Sequence, residues 1–166
     1  MRKVFFFIAI WFFSLVATAA PQKIEIVDLV QNGDIEGVRA ALDAGTDVNA
    51  KSPDGATALQ GAVHGDQELM VELLLEVGAD VGITNRYGVS AASLAAENGN
   101  SIILKRLLEA GSNPEQTMPG GETLLMTAAR TGEPETMRTL LGYGANPNRR
   151  ETVSYTHLTL PTICSV

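Results

Sequence analysis

The sequence predicts an all-α solenoid of about four stacked helix-turn-helix units with β-turn fingers between them. Three observations lead there. Glycines recur at a fixed interval of 33 residues: Gly55, Gly88 and Gly121 form one series, and Gly45, Gly78, Gly111 and Gly144 another. Between them, apolar residues recur at helical spacing: Val38, Ala41 and Leu42; Met70, Leu74 and Leu75; Ile103, Leu107 and Leu108; Met137, Leu140 and Leu141. All five Phe and the one Trp lie in the first 13 residues, so from residue 21 onward the aromatics are three Tyr. The core is therefore built from Leu, Ala, Val, Ile and Met. Self-similarity at this period marks a stacked repeat, and small aliphatic side chains suit close-packed helices better than a sandwich or barrel.

The chain opens on an address. Met1-Arg2-Lys3 is cationic, Val4 to Val16 is apolar except for Ser14, and Ala17-Thr18-Ala19-Ala20 supplies small residues. This pattern predicts a signal peptide over residues 1–19, cut after Ala19. Its apolar run is short of the roughly 20 residues that a membrane-spanning helix needs, and no Cys follows to carry a lipid. Loss of Arg2 and Lys3 takes the net charge from −7 to −9. So acidic a chain, with no Lys/Arg cluster, opposes nucleic acid and anionic headgroups. The expected product is periplasmic or secreted, and free of the membrane once cut.

Four units follow, at 20–55, 56–88, 89–121 and 122–152. Thr57, Ser90 and Thr123 stand where a hydroxyl caps the first helix of its unit. Ala62, Ala95-Ala96 and Ala128-Ala129 keep that helix thin, and Gly33, Gly99 and Gly132 permit the left-handed turn that ends it. The apolar sets above form the buried face of the second helix, and Gly45, Gly78, Gly111 and Gly144 stop it. The segments 48–56, 81–89 and 113–122 then project as fingers. Lys23, Glu25, Asp28 and Gln31 give the first unit the polar leading edge of an N-terminal cap. Asp66 replaces the helix-ending glycine of the second unit, with Gly65 one residue early, which predicts a distorted turn there. Pro134 falls at the start of a second helix, where its missing N–H costs little.

The stretches Thr57-Ala58-Leu59-Gln60, Leu94-Ala95-Ala96-Glu97-Asn98-Gly99, Leu74-Leu75-Glu76-Val77-Gly78-Ala79-Asp80-Val81, Leu107-Leu108-Glu109-Ala110-Gly111 and Gly45-Thr46-Asp47-Val48-Asn49 together resemble ankyrin repeats. The resemblance covers about residues 24–150. The Pro of that family's Thr-Pro-Leu-His turn is absent throughout, replaced by Ala58, Ala91 and Leu124. The resemblance implies a concave face of finger tips and first-helix ends that docks a partner protein. Carried over by position, that face holds Asp54 and His64, then Arg86, Tyr87, Val89, Glu97 and Asn98, then Glu122 and Arg130. Arg86 and Tyr87 are the expected anchors, because Arg and Tyr dominate binding hot spots.

Chemistry is otherwise sparse. The sequence has no HExxH, no GxSxG and no phosphate-binding Gly-rich loop. His64, near Asp66 and Glu68, reads as a surface histidine rather than a ligand or base, since a site needs further strong ligands or an activated nucleophile. Glu68, Glu72 and Glu76 form one helix stripe, read as a solvated outer face rather than a cation site. No cofactor, metal or small-molecule substrate is expected. The function predicted is that of a non-enzymatic, exported protein-binding module whose partner is neutral or basic. The alternative is a targeting module of a larger exported enzyme whose catalytic domain is lost to truncation.

The end of the chain breaks the period. Val153-Ser154-Tyr155-Thr156-His157-Leu158-Thr159-Leu160-Pro161-Thr162 resembles one translated frame of a sequencing-library transposase adapter. Residues 153–166, with His157 and the single cysteine Cys164, are therefore expected to be foreign, and the fourth unit to be cut short.

Overall fold

The computed structural model describes residues 26–149. The signal segment, Ala20 and the 153–166 tail, with His157 and Cys164, lie outside the described residues. Within them the chain forms four helix pairs and no strand longer than an isolated bridge. The pairs are α1 (Ile26–Gln31) with α2 (Ile35–Asp43), α3 (Ala58–His64) with α4 (Glu68–Glu76), α5 (Ala91–Asn98) with α6 (Ser101–Glu109), and α7 (Leu124–Thr131) with α8 (Pro134–Gly142).

Local chemistry sets each pair. The hydroxyls of Thr57, Ser90 and Thr123 accept from the main-chain N–H three residues on, and each of those partners (Gln60, Ser93 and Met126) accepts back from the capping residue's own N–H. Asp34 and Asn100 cap α2 and α6 through their side chains. Pro134 begins α8, as expected. The stops after the second helices are left-handed glycines throughout, from Gly45 at φ +87° to Gly111 at φ +96°.

Asp66 corrects the expectation of a distorted turn. It adopts the left-handed conformation itself, at φ +57°, while Gly65 stays at φ −82°. The turn then closes as its glycine counterpart does: Asp66 N–H donates to Val63 and Gln67 N–H to Ala62, just as Gly33 and Asp34 donate to Val30 and Leu29. Asp is one of the few side chains that visits this region routinely, and its carboxylate accepts from Asn100 Nδ2 of the next unit at 3.0 Å.

One continuous core runs through the stack. Ala58, Ala62, Ala91, Ala92, Ala95, Ala96 and Ala128 are buried on the first helices, and Val38, Met70, Leu74, Ile103, Leu107 and Leu140 on the second. The first helices pack more closely on one another than the second helices do. The reason is size: alanine faces approach closely, leucine faces hold their helices apart. Unequal spacing curves the array, with first helices and fingers on the inner side and second helices on the outer.

Two expectations for the second helices need correction. Leu141 is 46% exposed, because no described unit follows to cover the last helix pair. Glu72 is not a freely solvated member of its stripe. It pairs with Arg106 of α6 at 2.7 Å, both side chains half-buried.

Each junction also carries a polar fastening. A side-chain donor from one unit reaches a helix-end carbonyl of the unit before it: Gln67 Nε2 to Val30, Asn98 Nδ2 to Val63 and Thr136 Oγ1 to Gly99, at 3.0, 2.9 and 2.8 Å. Val30 O and Val63 O already accept from the turn N–H groups of Gly33 and Asp66, and the next unit adds a second bond to each. The Gln67 Oε1 atom of the first fastening is buried without a partner.

Candidate protein-docking surface

The fingers are short hairpins with one shared geometry. Ser52 N–H donates to Ala56 O, Asn85 N–H to Val89 O and Met118 N–H to Glu122 O, closing turns at Gly55, Gly88 and Gly121. At their bases, Lys51 bridges Thr57, Thr84 bridges Ser90 and Thr117 bridges Thr123. In the middle finger Asn85 Oδ1 accepts from the N–H groups of Tyr87 and Val89, at 2.9 and 3.0 Å, which fixes the tip. In the first finger Asp54 takes that part: its carboxylate accepts from Ser52 Oγ and from Ala56 N–H. Those bonds, the hydroxyl above all, hold the Asp54 carboxyl below the usual carboxylate range, with Arg86 adding a smaller push in the same direction.

Neighbouring tips are joined. Arg86 N–H donates to Asp54 O at 3.1 Å, and its guanidinium bonds the carbonyls of Pro53 and Asp54. A side chain on Gly88 would stand 2.4 Å from Pro119 Cγ of the third finger, so the fit there requires glycine. The three tips form one ridge.

On this ridge Tyr87 is 64% exposed, its backbone pinned and its ring in solvent. Arg86 is exposed too, but its donors serve the preceding finger, so it positions Tyr87's finger instead of offering an open fork. Asp54 is exposed and Val89 half-buried. Below the tips, His64, Glu97 and Arg130 occupy the same position on α3, α5 and α7 and are all exposed. Arg130 pairs with Glu122 at 3.4 Å. Asn98 is exposed, yet its amide is spent on Val63 O. The structure thus brings the nine sequence-predicted residues to one side while occupying Arg86, Asn98 and Arg130 internally. Among the described residues no group of three metal-ligating side chains comes together.

Sequence reasoning missed two residues that build the tips, Ser52 and Asn85. The signal was present for Asn85, since Asn85-Arg86-Tyr87-Gly88 has the composition of a side-chain-closed turn. It also missed Gln60, whose amide donates across the junction to Ile83 and Val89. Tyr143, at the end of α8, is 39% exposed, and its hydroxyl donates to Glu109 at 3.3 Å. Partial burial, then the neighbouring carboxylate, raise the Tyr143 phenol above its ordinary value.

The family described as ankyrin repeats (3 copies) matches residues 26–118 and 64–151. No curated protein matches the chain.

Proposed function

Because the chain belongs to the ankyrin-repeat family, whose members are generally protein-interaction modules, we propose that it is an exported, non-enzymatic binding module that docks a partner protein on its finger side. The observation that carries this reading is Tyr87: a large ring held out at 64% exposure on a backbone fixed by Asn85 and by the Arg86 staple. A ring presented this way buries much area at little cost in lost motion.

The partner is itself exported and neutral or basic, in keeping with a net charge of −7 that becomes −9 once the leader is removed. No cofactor or small-molecule substrate takes part. Tyr87 is the contact residue and Arg86 positions its finger. His64, Glu97 and Asp54 add rim contacts, and Glu122 with Arg130 forms a closed pair at one end.

The test is capture from periplasmic or culture extract by wild-type and Tyr87→Ala protein, compared by mass spectrometry, with affinities measured for the partner found. Tyr87→Ala should weaken binding by about 1–2 kcal/mol with helical content unchanged. A specific partner held equally by both proteins overturns the site. Hydrolase or transferase activity in the purified chain overturns the binding-module reading.

A further inference from the structure

The outer side carries a second feature. There α4 packs on α6 and α6 on α8, whereas α2 and α4 make little contact and leave a groove. Glu72, on the α4 wall of this groove, pairs with Arg106 of α6. Ile35, Leu69 and Leu73 line this groove with Arg39, Glu72 and Glu76, over a volume of about 200 Å³. It opens into a larger depression of about 450 Å³, where Ile35 and Leu69 meet Gly33, Asp66, Glu68 and Asn100. Leu69 is 70% exposed, the most open of the large apolar side chains among the described residues, and Ile102, one period along, is 53% exposed. Aliphatic knobs beside a long cleft are what a helix laid in a groove engages.

The charge on the rim selects the occupant. Glu68 and Glu76 of α4, with Asp66 in the turn before it, stand against a single lining cation, Arg39, while Glu72 is already paired with Arg106. We propose that the α2–α4 groove is a second docking surface, separate from the fingers, for a cationic amphipathic helix. Its aliphatic side seats on Ile35, Leu69 and Leu73, and its Lys or Arg residues meet the α4 carboxylates. A second copy of this chain would bring the same acidic rim against itself, and an anionic membrane surface would be repelled. The occupant is therefore another, basic polypeptide.

The probe is a fluorescein-labelled Leu/Lys amphipathic peptide of roughly 14 residues, about four helical turns, titrated against the full chain by anisotropy. Saturable binding is expected, with affinity falling as salt rises. Leu69→Ser, at an exposed position that leaves the fold intact by circular dichroism, should weaken it by about tenfold or more. Glu76→Gln should weaken it less and flatten the salt dependence, and Tyr87→Ala should leave it unchanged. Failure of the peptide to bind overturns the proposal, as does equal binding to Leu69→Ser or equal binding of a Leu/Glu peptide. Weakening by Tyr87→Ala overturns it by placing the peptide on the fingers. A dimer of the chain that Leu69→Ser dissolves overturns it by naming a different occupant.

Discussion

The side-chain amide of Gln60 on α3 donates to the main-chain carbonyl of Val89, 29 residues on, at 2.9 Å, and its other hydrogen reaches Ile83 O at the same distance. Gln60 also closes its own helix cap through Oε1, so one buried side chain fixes a helix start and the base of the next finger together. The equivalent residues do not repeat this. Ser93 and Met126 turn back into their own caps.

Gln60→Ala leaves the Ile83 carbonyl and the Thr57 N–H without a partner and takes from Val89 O one of its two donors, the other being Asn85 N–H. Leaving a buried polar group unsatisfied costs about 1–3 kcal/mol. Urea unfolding followed by circular dichroism should show a loss of that order. Ser93→Ala, which breaks bonds within one turn only, should cost less.

Large-to-small substitutions should report the unequal cover of the stack. Leu74→Ala and Leu107→Ala, both fully buried between units, should each cost about 2–5 kcal/mol. Leu141→Ala should cost under about 1 kcal/mol, because half of that side chain already meets water. Hydrogen exchange in Leu107→Ala should loosen α7 and α8 more than α1 and α2, since units contact only their neighbours.

Gly88→Ala combines two penalties. The residue sits at φ +73°, and the added carbon would meet Pro119 at 2.4 Å. Strain in this region costs about 1–3 kcal/mol. The melting temperature should fall, and proline-directed contacts between the second and third fingers should open, seen as faster exchange at Asn85 and Met118, whose N–H groups close these two fingers.

Acid should weaken the last junction. The Glu115 carboxylate accepts from the Asn146 N–H and from the Arg149 guanidinium, and these bonds hold its carboxyl below the ordinary value of 4.5. A depressed carboxyl contributes stability that is fully present above its unfolded-state value and is lost as pH falls through the folded one. Glu115→Gln removes that contribution. Its melting temperature should therefore decline less between pH 5 and pH 2 than that of the wild type, while lying lower at pH 7.

The fold was legible because its cause is periodic. Capping hydroxyls, alanine stripes and terminal glycines repeat at one interval, and each acts locally, so Thr57, Ser90, Thr123 and the stopping glycines could be read in order. What escaped was contact between periods. Nothing local in Glu72 or Arg106 says that they face each other across a junction, and Glu72 looked like its stripe neighbours Glu68 and Glu76. Asp66 misled for the opposite reason: a missing glycine looked like damage, although an aspartate tolerates the same backbone conformation. On the candidate face, position alone named Tyr87 and the residues around it. It could not show that Arg86, Asn98 and Arg130 are already committed to partners inside the protein.

The stapled fingers have a thermodynamic corollary. Arg86 on the carbonyls of Pro53 and Asp54, and Pro119 seated on Gly88, order the ridge while the protein folds. The entropy of arranging three loops is thus lost before any encounter, not during it. Association on this ridge should show little calorimetric sign of coupled ordering, and its affinity should respond to loosening of the tips even at residues that never touch the partner.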